Sequence, residues 1–240
     1  MVKKHLFVLI SALVASTPLA ARAHISIASG PGFANVTQEI TFGVGHGCAG
    51  ADTYRVRVEI PSTVTSVRPV RSDFGKISVE KDAAGTITAV VWQKADADAL
   101  DADLAYYKLV IRAKLPNTPF SSLYFPARQT CRAADGTLSV VDWSMLPTAT
   151  PVDAGTADGG VQDEPAPALV LLPARRAGWN KFTVTTAVTD LGALFGDALI
   201  VWKGTAAYSA NPVTVDLIKA TSGVTTLAGL APNDEIWVKY

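Results

Sequence analysis

Cysteine and histidine are scarce in this chain, which has two cysteines and three histidines among its 240 residues. Neither cysteine belongs to a C-x-x-C pair, and the chain contains no run of basic residues. The sequence therefore lacks the electrostatic signature of a nucleic-acid-binding protein, and no nucleic-acid partner is expected. A Walker loop and a Gly-x-Ser-x-Gly nucleophile elbow are also absent, so the sequence does not support P-loop chemistry or serine hydrolysis.

Long apolar runs are missing too, and the most notable run lies near the start of the chain. Two lysines precede an apolar stretch over residues 6–15, and an Ala-x-Ala cleavage site ends at Ala23. This pattern predicts a secretory signal peptide over residues 1–23, cleaved after Ala23 on export to the periplasm. The run is about half of the roughly 20 apolar residues that a membrane span needs. No membrane span is therefore expected in the mature chain.

Removing these 23 residues leaves 217, with 18 basic and 21 acidic residues. The first part of the remaining chain alternates apolar and polar residues, most completely where Tyr54, Val56 and Val58 alternate with charged side chains. Seven or eight short strands of this kind, separated by turn signals, predict a mainly β, antiparallel β-sandwich over residues 24–147. The Ala- and Asp-rich stretch 96–104 is the part of it expected to form a helical turn.

The composition then changes. Residues 148–168 are rich in Ala, Pro, Gly, Thr and acidic residues, which predicts a linker. Residues 169–240 mix helical spacing near Leu191 with strand-like stretches, and an Asn-Pro pair at residues 211–212 predicts a helix start, so we expect a small α+β C-terminal module. This module contains three of the five tryptophans, namely Trp179, Trp202 and Trp237. They are expected to form its core, and a stacking platform for a ligand is the alternative.

Cys48 and Cys131 form the even pair that an oxidising compartment usually joins in a disulfide. Such a bond would close a loop of about 84 residues, which the chain-entropy model values at about 4–5 kcal/mol. A pair of thiolate metal ligands is the alternative for the same two residues. No histidine cluster surrounds Cys131, so the disulfide is the preferred prediction.

Cleavage after Ala23 would make His24 the first residue of the mature chain. At that position the free α-amine and the ring Nδ1 can close a six-membered chelate on one metal ion. Nitrogen donors of this kind suit Cu(II) among the common divalent metals, so the sequence predicts His24 as a copper ligand. The alternative is that cleavage falls before a histidine by chance.

The second histidine of the mature chain, His46, follows a predicted strand and lies in the segment Gly45-His46-Gly47-Cys48. Flanking glycines allow the backbone to bend and to approach a ligand closely. A disulfide at Cys48 would hold this loop in place, as a second metal ligand requires. A surface turn is the alternative interpretation of the loop that contains His46.

Four short segments within residues 24–147 point to one protein family. They are His24-Ile25-Ser26 after the Ala-x-Ala site, residues 42–53 (FGVGHGCAGADT), residues 56–61 (VRVEIP) and Trp143 in residues 141–143. Together they resemble the YcnI-like copper-binding domain family. The resemblance implies a cupredoxin-like or immunoglobulin-like β-sandwich that binds Cu(II) through the amine and imidazole of its first histidine. It also implies an acidic ligand from the loop after the second strand, and a nearby tryptophan.

Under this resemblance His24 and Trp143 take the positions of the first histidine and the tryptophan. The acidic ligand is not matched, because the loop has His46 where the family pattern places it. His46 resembles a substituted ligand in a branch of the family with a Gly-His-Gly-Cys loop, and Glu39 and Asp52 are further candidates for helper ligands.

The preferred hypothesis is a periplasmic protein that binds a copper ion for storage, delivery or tolerance, with another copper-handling envelope protein as partner. It is not expected to be an enzyme. The rival hypothesis is a histidine-brace copper monooxygenase, because an N-terminal His24 with one further histidine resembles the brace of polysaccharide oxygenases. A third hypothesis is a metal-free envelope interaction module whose active part is residues 169–240, which look like the C-terminal extension of this branch.

Overall fold

The structure is a computed structural model, and it describes residues 24–147 and 163–240. The expected signal peptide over residues 1–23, and residues 148–162 of the expected linker, lie outside the described residues. The described chain is mainly β, and its helical elements are short.

Residues 24–147 form eleven strands and one 3₁₀ helix, Asp96–Asp98, where the sequence predicts a helical turn. The strands are β1 (Ile25–Ile27), β2 (Gly32–Phe33), β3 (Thr37–Val44), β4 (Asp52–Glu59), β5 (Thr65–Pro69), β6 (Lys76–Lys81), β7 (Ile87–Gln93), β8 (Tyr107–Lys114), β9 (Ser122–Tyr124), β10 (Ala127–Arg132) and β11 (Leu138–Met145). Residues 163–240 form β12 (Asp163–Pro165), β13 (Ala168–Leu172), β14 (Trp179–Thr183), α1 (Leu191–Phe195), β15 (Ile200–Lys203), β16 (Ala206–Tyr208), α2 (Pro212–Ala220), β17 (Thr225–Thr226) and β18 (Glu235–Lys239).

Two sheets form a sandwich around the larger core. One sheet has the order β1-β3-β8-β5, and the other has the order β12-β11-β10-β4-β7-β6. Their strand pairs are antiparallel, except for the parallel pair of β11 and β12. The core between them contains the fully buried Phe42, Trp92 and Phe125. This architecture confirms the predicted mainly β, antiparallel sandwich.

Strand β4 shows how alternation produces this arrangement, because successive side chains point to opposite faces of a sheet. Val56 is completely buried, whereas its neighbour Arg57 points outward and pairs with Glu80 at 2.8 Å. On the same sheet, Arg128 forms an ion pair with Asp142 at 2.6 Å. This Arg128 hydrogen bond lowers the pKa of the Asp142 carboxyl below its ordinary value.

Strands β12 and β13 continue the sandwich beyond residue 162. Strand β12 extends the six-stranded sheet beside β11, while β13 pairs with β9 and β2 in a separate three-stranded sheet. Leu169 and Leu171 of β13 are buried in the sandwich core, and Leu172 is buried in a second core. Residues 163–168 of the expected linker thus include β12 and the first residue of β13.

The second core lies under a five-stranded sheet of order β14-β18-β15-β16-β17. Asp190 caps α1 by accepting a hydrogen bond from the Ala193 amide at 3.0 Å. Asn211 caps α2 in the same way, and Pro212 occupies the first turn, as the Asn-Pro signal predicts. The predicted small α+β arrangement is confirmed. Within residues 24–147 and 163–240, no helix has the length and apolar character needed to cross a membrane.

The expectation that Trp179, Trp202 and Trp237 form the core of this part is wrong. Trp179 is 52% exposed, Trp237 is 49% exposed, and Trp202 is half-buried. In β18 the residues that point inward are Ile236 and Val238, both completely buried, so alternation turns Trp237 outward. The three indoles therefore lie on the outer face of the sheet.

Candidate metal centre

His24 lies at one end of the ladder between β1 and β3. Ile25 pairs with Val44, so the residue before Ile25 lies beside the loop that follows Val44 and contains His46. The exposed His24 ring has its centroid 5.5 Å from that of Trp143, and the two ring planes are tilted by 52°. The structure thus brings two of the three predicted metal-site residues together and places the third at the same end of the ladder.

His46 is half-buried in the loop between β3 and β4. Its Nδ1 lies 2.7 Å from the carbonyl oxygen of Gly47 and 3.8 Å from Oδ2 of Asp103. A carbonyl oxygen only accepts hydrogen bonds, so this contact requires the ring proton on Nδ1. The neutral ring then carries its lone pair on Nε2, which is the nitrogen suited to bind a metal.

The tight turn of this loop depends on Gly47. A Cβ atom added there would lie 1.7 Å from the carbonyl oxygen of Ala51. Cys48 and Ala51 form an isolated antiparallel bridge, in which each amide donates to the other residue's carbonyl at 3.1 and 2.9 Å. Glycine at position 47 therefore permits the close approach that fixes the backbone next to His46.

The predicted disulfide between Cys48 and Cys131 is confirmed, with the two Cα atoms 5.7 Å apart. Cys131 is completely buried in β10, and Cys48 is 7% exposed. The bond ties the loop of His46 to the six-stranded sheet. The alternative, a pair of thiolate metal ligands, does not apply to the bonded form.

Gln129 connects the loop of His46 to Trp143. The side-chain Nε2 of Gln129 donates to the carbonyl oxygen of His46 and to Oγ1 of Thr53, both at 2.8 Å. Its Oε1 accepts a hydrogen bond from the Trp143 indole at 3.2 Å. Gln129 is only 1% exposed, so one buried amide holds both sides of the candidate site. Gln129 was not among the predicted site residues, although the inward alternation of β10 places this polar residue in the interior.

Glu164 is a second residue of the site that was not predicted from the sequence. In the parallel ladder of β11 and β12 it lies opposite Trp143, and it is only 6% exposed. Partner residues in a ladder point to the same face of a sheet, so this carboxyl group lies on the side that bears the Trp143 indole. Its position in an acidic, proline-rich segment gave no alternation signal.

The two expected helper ligands lie elsewhere. Glu39 is exposed on β3, where it pairs with Arg112, about 17 Å along the strand from Val44 at 3.4 Å per residue. Asp52 is completely buried and forms an ion pair with Lys94. Glu39 is therefore remote from His24, and the Asp52 carboxylate is engaged by Lys94.

Asp52 belongs to a separate buried cluster. It accepts hydrogen bonds from the Lys94 ammonium group, from the Tyr107 hydroxyl at 2.6 Å and from the Leu100 amide at 2.9 Å. Burial of the hydroxyl group is the main cause that raises the pKa of Tyr107 above its ordinary value, and the hydrogen bond to Asp52 is the second cause. Because a buried carboxylate needs such partners, this cluster explains why Asp52 is retained inside the sandwich.

The donor chemistry beside Trp143 is imidazole and carboxylate, to which cleavage before His24 would add a primary amine. Nitrogen and oxygen donors of these types suit Cu(II). Within residues 24–147 and 163–240, no group of three or more His, Cys, Asp or Glu side chains is arranged to hold a metal ion. A chelate that uses the amine and ring of one residue needs fewer side chains, so the residues present fit a copper site of that kind.

The fold and this site define an antiparallel β-sandwich with an exposed histidine packed beside a buried tryptophan. Residues 24–171 match the family described as Domain of unknown function (DUF1775), and the chain belongs to that family. The four short segments singled out within residues 24–147 all lie within the matched residues.

Two solved structures are similar to this chain. An uncharacterized protein from Nocardia farcinica with an immunoglobulin-like fold is 24% identical, with a TM-score of 0.45, over 58% of this chain and 91% of that chain. BcpA, the major pilin subunit of Bacillus cereus, is 8% identical, with a TM-score of 0.34, over 88% of this chain and 52% of that chain. Among curated proteins, none matches the sequence.

Proposed function

We propose that this chain is an exported, periplasmic copper-binding protein of the YcnI-like type. It holds one Cu(II) for storage, delivery or tolerance, exchanges it with another copper-handling envelope protein, and is not an enzyme. The observation that carries the proposal is the contact between His24 and Trp143, whose ring centroids are 5.5 Å apart. A histidine that becomes the first residue after cleavage is thereby placed against a buried aromatic ring in a fixed sheet.

The proposed ligands begin with the α-amine and Nδ1 of His24, which become available together only after cleavage behind Ala23. His46 offers Nε2 as a third donor, because its Nδ1 donates to the Gly47 carbonyl. Glu164 offers a carboxylate from the strand that pairs with Trp143. The Trp143 ring would cover one side of the site and limit access of water.

A copper titration followed by EPR tests this proposal on protein with a native His24 terminus. We expect one Cu(II) per chain with nitrogen hyperfine structure, and His24→Ala should abolish tight binding. The decisive control adds one residue before His24, which turns the amine into an amide and leaves every side chain in place. Equal copper affinity in this extended protein would refute the N-terminal chelate.

Two further variants test whether His46 and Glu164 contribute ligands in addition to His24. His46→Ala should weaken binding and remove one nitrogen from the EPR spectrum if the imidazole is a ligand. Glu164→Gln keeps the shape of the side chain and removes its charge, so it should weaken binding without loss of a nitrogen. Glu39→Gln is the matched control, because this carboxylate is exposed and remote from the site. A response to Glu39→Gln as large as that to Glu164→Gln would contradict the proposed carboxylate ligand.

Proton competition provides an independent measurement. Metal-binding amines and imidazoles must be deprotonated, so copper binding releases protons and weakens as the pH falls. Ordinary amines and imidazoles titrate between about 6 and 8, and the apparent copper affinity should therefore fall steeply below about pH 6. An affinity that stays constant from pH 8 to pH 5 would exclude nitrogen ligands of this type.

Catalysis is tested separately with the copper-loaded protein. Peroxide formation with ascorbate, measured with and without polysaccharide, should show no polysaccharide-dependent oxidation. Oxidised sugar products would instead assign the chain to the histidine-brace monooxygenases. Absence of copper binding by correctly processed protein would favour a metal-free envelope module.

A further inference from the structure

Three tryptophans form a row on the outer face of the C-terminal sheet. Trp202 of β15 lies directly opposite Trp237 of β18. Lys181 of β14 is the partner of Trp237 on the other side, so Trp179, two residues earlier in β14, lies diagonally from Trp237. Diagonal neighbours in a ladder are within reach of aromatic side chains. The three indoles therefore form an aromatic row across three adjacent strands.

The row is open to solvent and lines a groove of about 440 Å³ together with Gly204. Trp179 and Trp237 leave about half of their surface exposed, at 52% and 49%. Exposure of so much contiguous apolar surface is unfavourable in water, and such patches mark binding surfaces. The volume lies within the usual range of ligand-binding clefts.

Charged groups of both signs surround the aromatic row. Lys181 pairs with Glu235 at 2.8 Å, and the Lys239 ammonium group lies 5.8 Å from the centre of the Trp179 ring. These lysines disfavour a cationic ligand, because Lys239 already supplies the cation over Trp179. The Glu235 carboxylate offsets the charge of Lys181, so the surface lacks the net positive charge that binding to an anionic membrane would require. An uncharged ligand with apolar faces and many hydroxyl groups fits this combination.

We propose that the aromatic row binds a linear polysaccharide of β-linked pyranose sugars. A pyranose ring with equatorial substituents has two apolar C–H faces and a rim of hydroxyl groups. The faces stack on Trp179, Trp202 and Trp237, while the hydroxyl groups bond to Lys181 and Glu235. This site goes beyond copper binding and uses none of the proposed metal ligands.

Isothermal titration calorimetry of residues 24–240 with cellohexaose and with chitohexaose tests the proposal. We expect binding of at least one oligosaccharide, weakened about tenfold or more by Trp237→Ala, as is usual for truncation of a central tryptophan. Trp179→Ala should act in the same direction, and Trp237→Tyr should restore most of the affinity. Tyr106→Ala is the matched control, since Tyr106 is an aromatic residue with 53% exposure outside the row, and it should change nothing.

Four results would overturn the proposal. The first is no heat with either oligosaccharide, and the second is equal affinity in wild type and Trp237→Ala. The third is binding to vesicles of phosphatidylglycerol and phosphatidylethanolamine that the tryptophan variants abolish, which would assign the row to a lipid surface. The fourth is a dimer in sedimentation velocity that Trp237→Ala dissociates, which would assign it to a second copy. Copper titration of Trp237→Ala should match wild type, because Trp237 is not a proposed copper ligand. A loss of oligosaccharide binding with normal copper binding therefore concerns the aromatic row alone.

Discussion

Replacing Gln129 by leucine tests how strongly the candidate metal centre is held together. The substitution keeps a side chain of similar size and removes an amide that makes three hydrogen bonds. These bonds reach the carbonyl oxygen of His46, the Thr53 hydroxyl and the Trp143 indole, at 2.8, 2.8 and 3.2 Å. Thr53 is 0% exposed and Trp143 is 3% exposed, so water does not readily replace the lost partner.

The expected magnitude follows from these three bonds. A net contribution of about 1 kcal/mol each gives about 3 kcal/mol, and the further cost of polar groups left buried without a partner raises the expected destabilisation by Gln129→Leu to about 3–5 kcal/mol. Equilibrium unfolding in urea with the disulfide intact measures this loss as a lower midpoint at unchanged slope. The copper EPR spectrum should change as well, because the loop of His46 and the ring of Trp143 lose their common anchor.

Gln93→Leu is the matched control. Gln93 is exposed on β7, where its amide donates one hydrogen bond to the Tyr54 hydroxyl at 3.2 Å, and surface substitutions usually stay within about 0.5 kcal/mol. If Gln129→Leu is as stable as the Gln93→Leu control, the three hydrogen bonds of the buried amide do not hold the site together.

Three further substitutions test other parts of the sandwich. Replacing both Cys48 and Cys131 by serine removes a bond across 83 positions and should cost about 4–5 kcal/mol in urea unfolding; an unchanged midpoint would contradict the loop-entropy argument. Asp142→Asn should lower stability at pH 7, and this deficit should shrink as the pH falls below the ordinary range of a carboxyl group, because a depressed carboxyl pKa adds stability that is lost as the pH falls through the folded-state value; a deficit that does not change with pH would be inconsistent with this. Asp52→Ala leaves the Lys94 charge buried and should cost about 3–5 kcal/mol, whereas changing Lys94 to methionine in the same protein should recover part of this loss in thermal unfolding.

The sandwich was predictable because its strands carry a period of two. In β4 the buried Val56 and Val58 alternate with outward arginines, and that pattern is visible without any knowledge of the partner strands. The disulfide was predictable for a different reason, since two cysteines allow only one pairing. Helix α2 was predictable from Asn211 and Pro212, which satisfy the needs of a helix start locally.

Residues whose placement depends on distant pairing could not be predicted. The short strand β12 is defined by its parallel partner β11, and nothing in its own sequence indicates that Glu164 lies opposite Trp143. The orientation of Trp237, in contrast, could have been predicted. Glu235 and Lys239 share its face of β18 by alternation, and these charged residues indicate that this face is exposed. Packing selected the two aliphatic side chains and left the indole outside.

Strand β13 contributes side chains to both hydrophobic cores, so a destabilising change in this strand affects both. Leu169 and Leu171 belong to one core, and Leu172, with the partly buried Val170, belongs to the other. The two faces of this strand therefore pack against different cores, and a shift of its backbone by one residue would remove apolar side chains from both cores at once. Loss of apolar side chains from β13 would therefore remove buried surface from both cores and lower the stability of the two together.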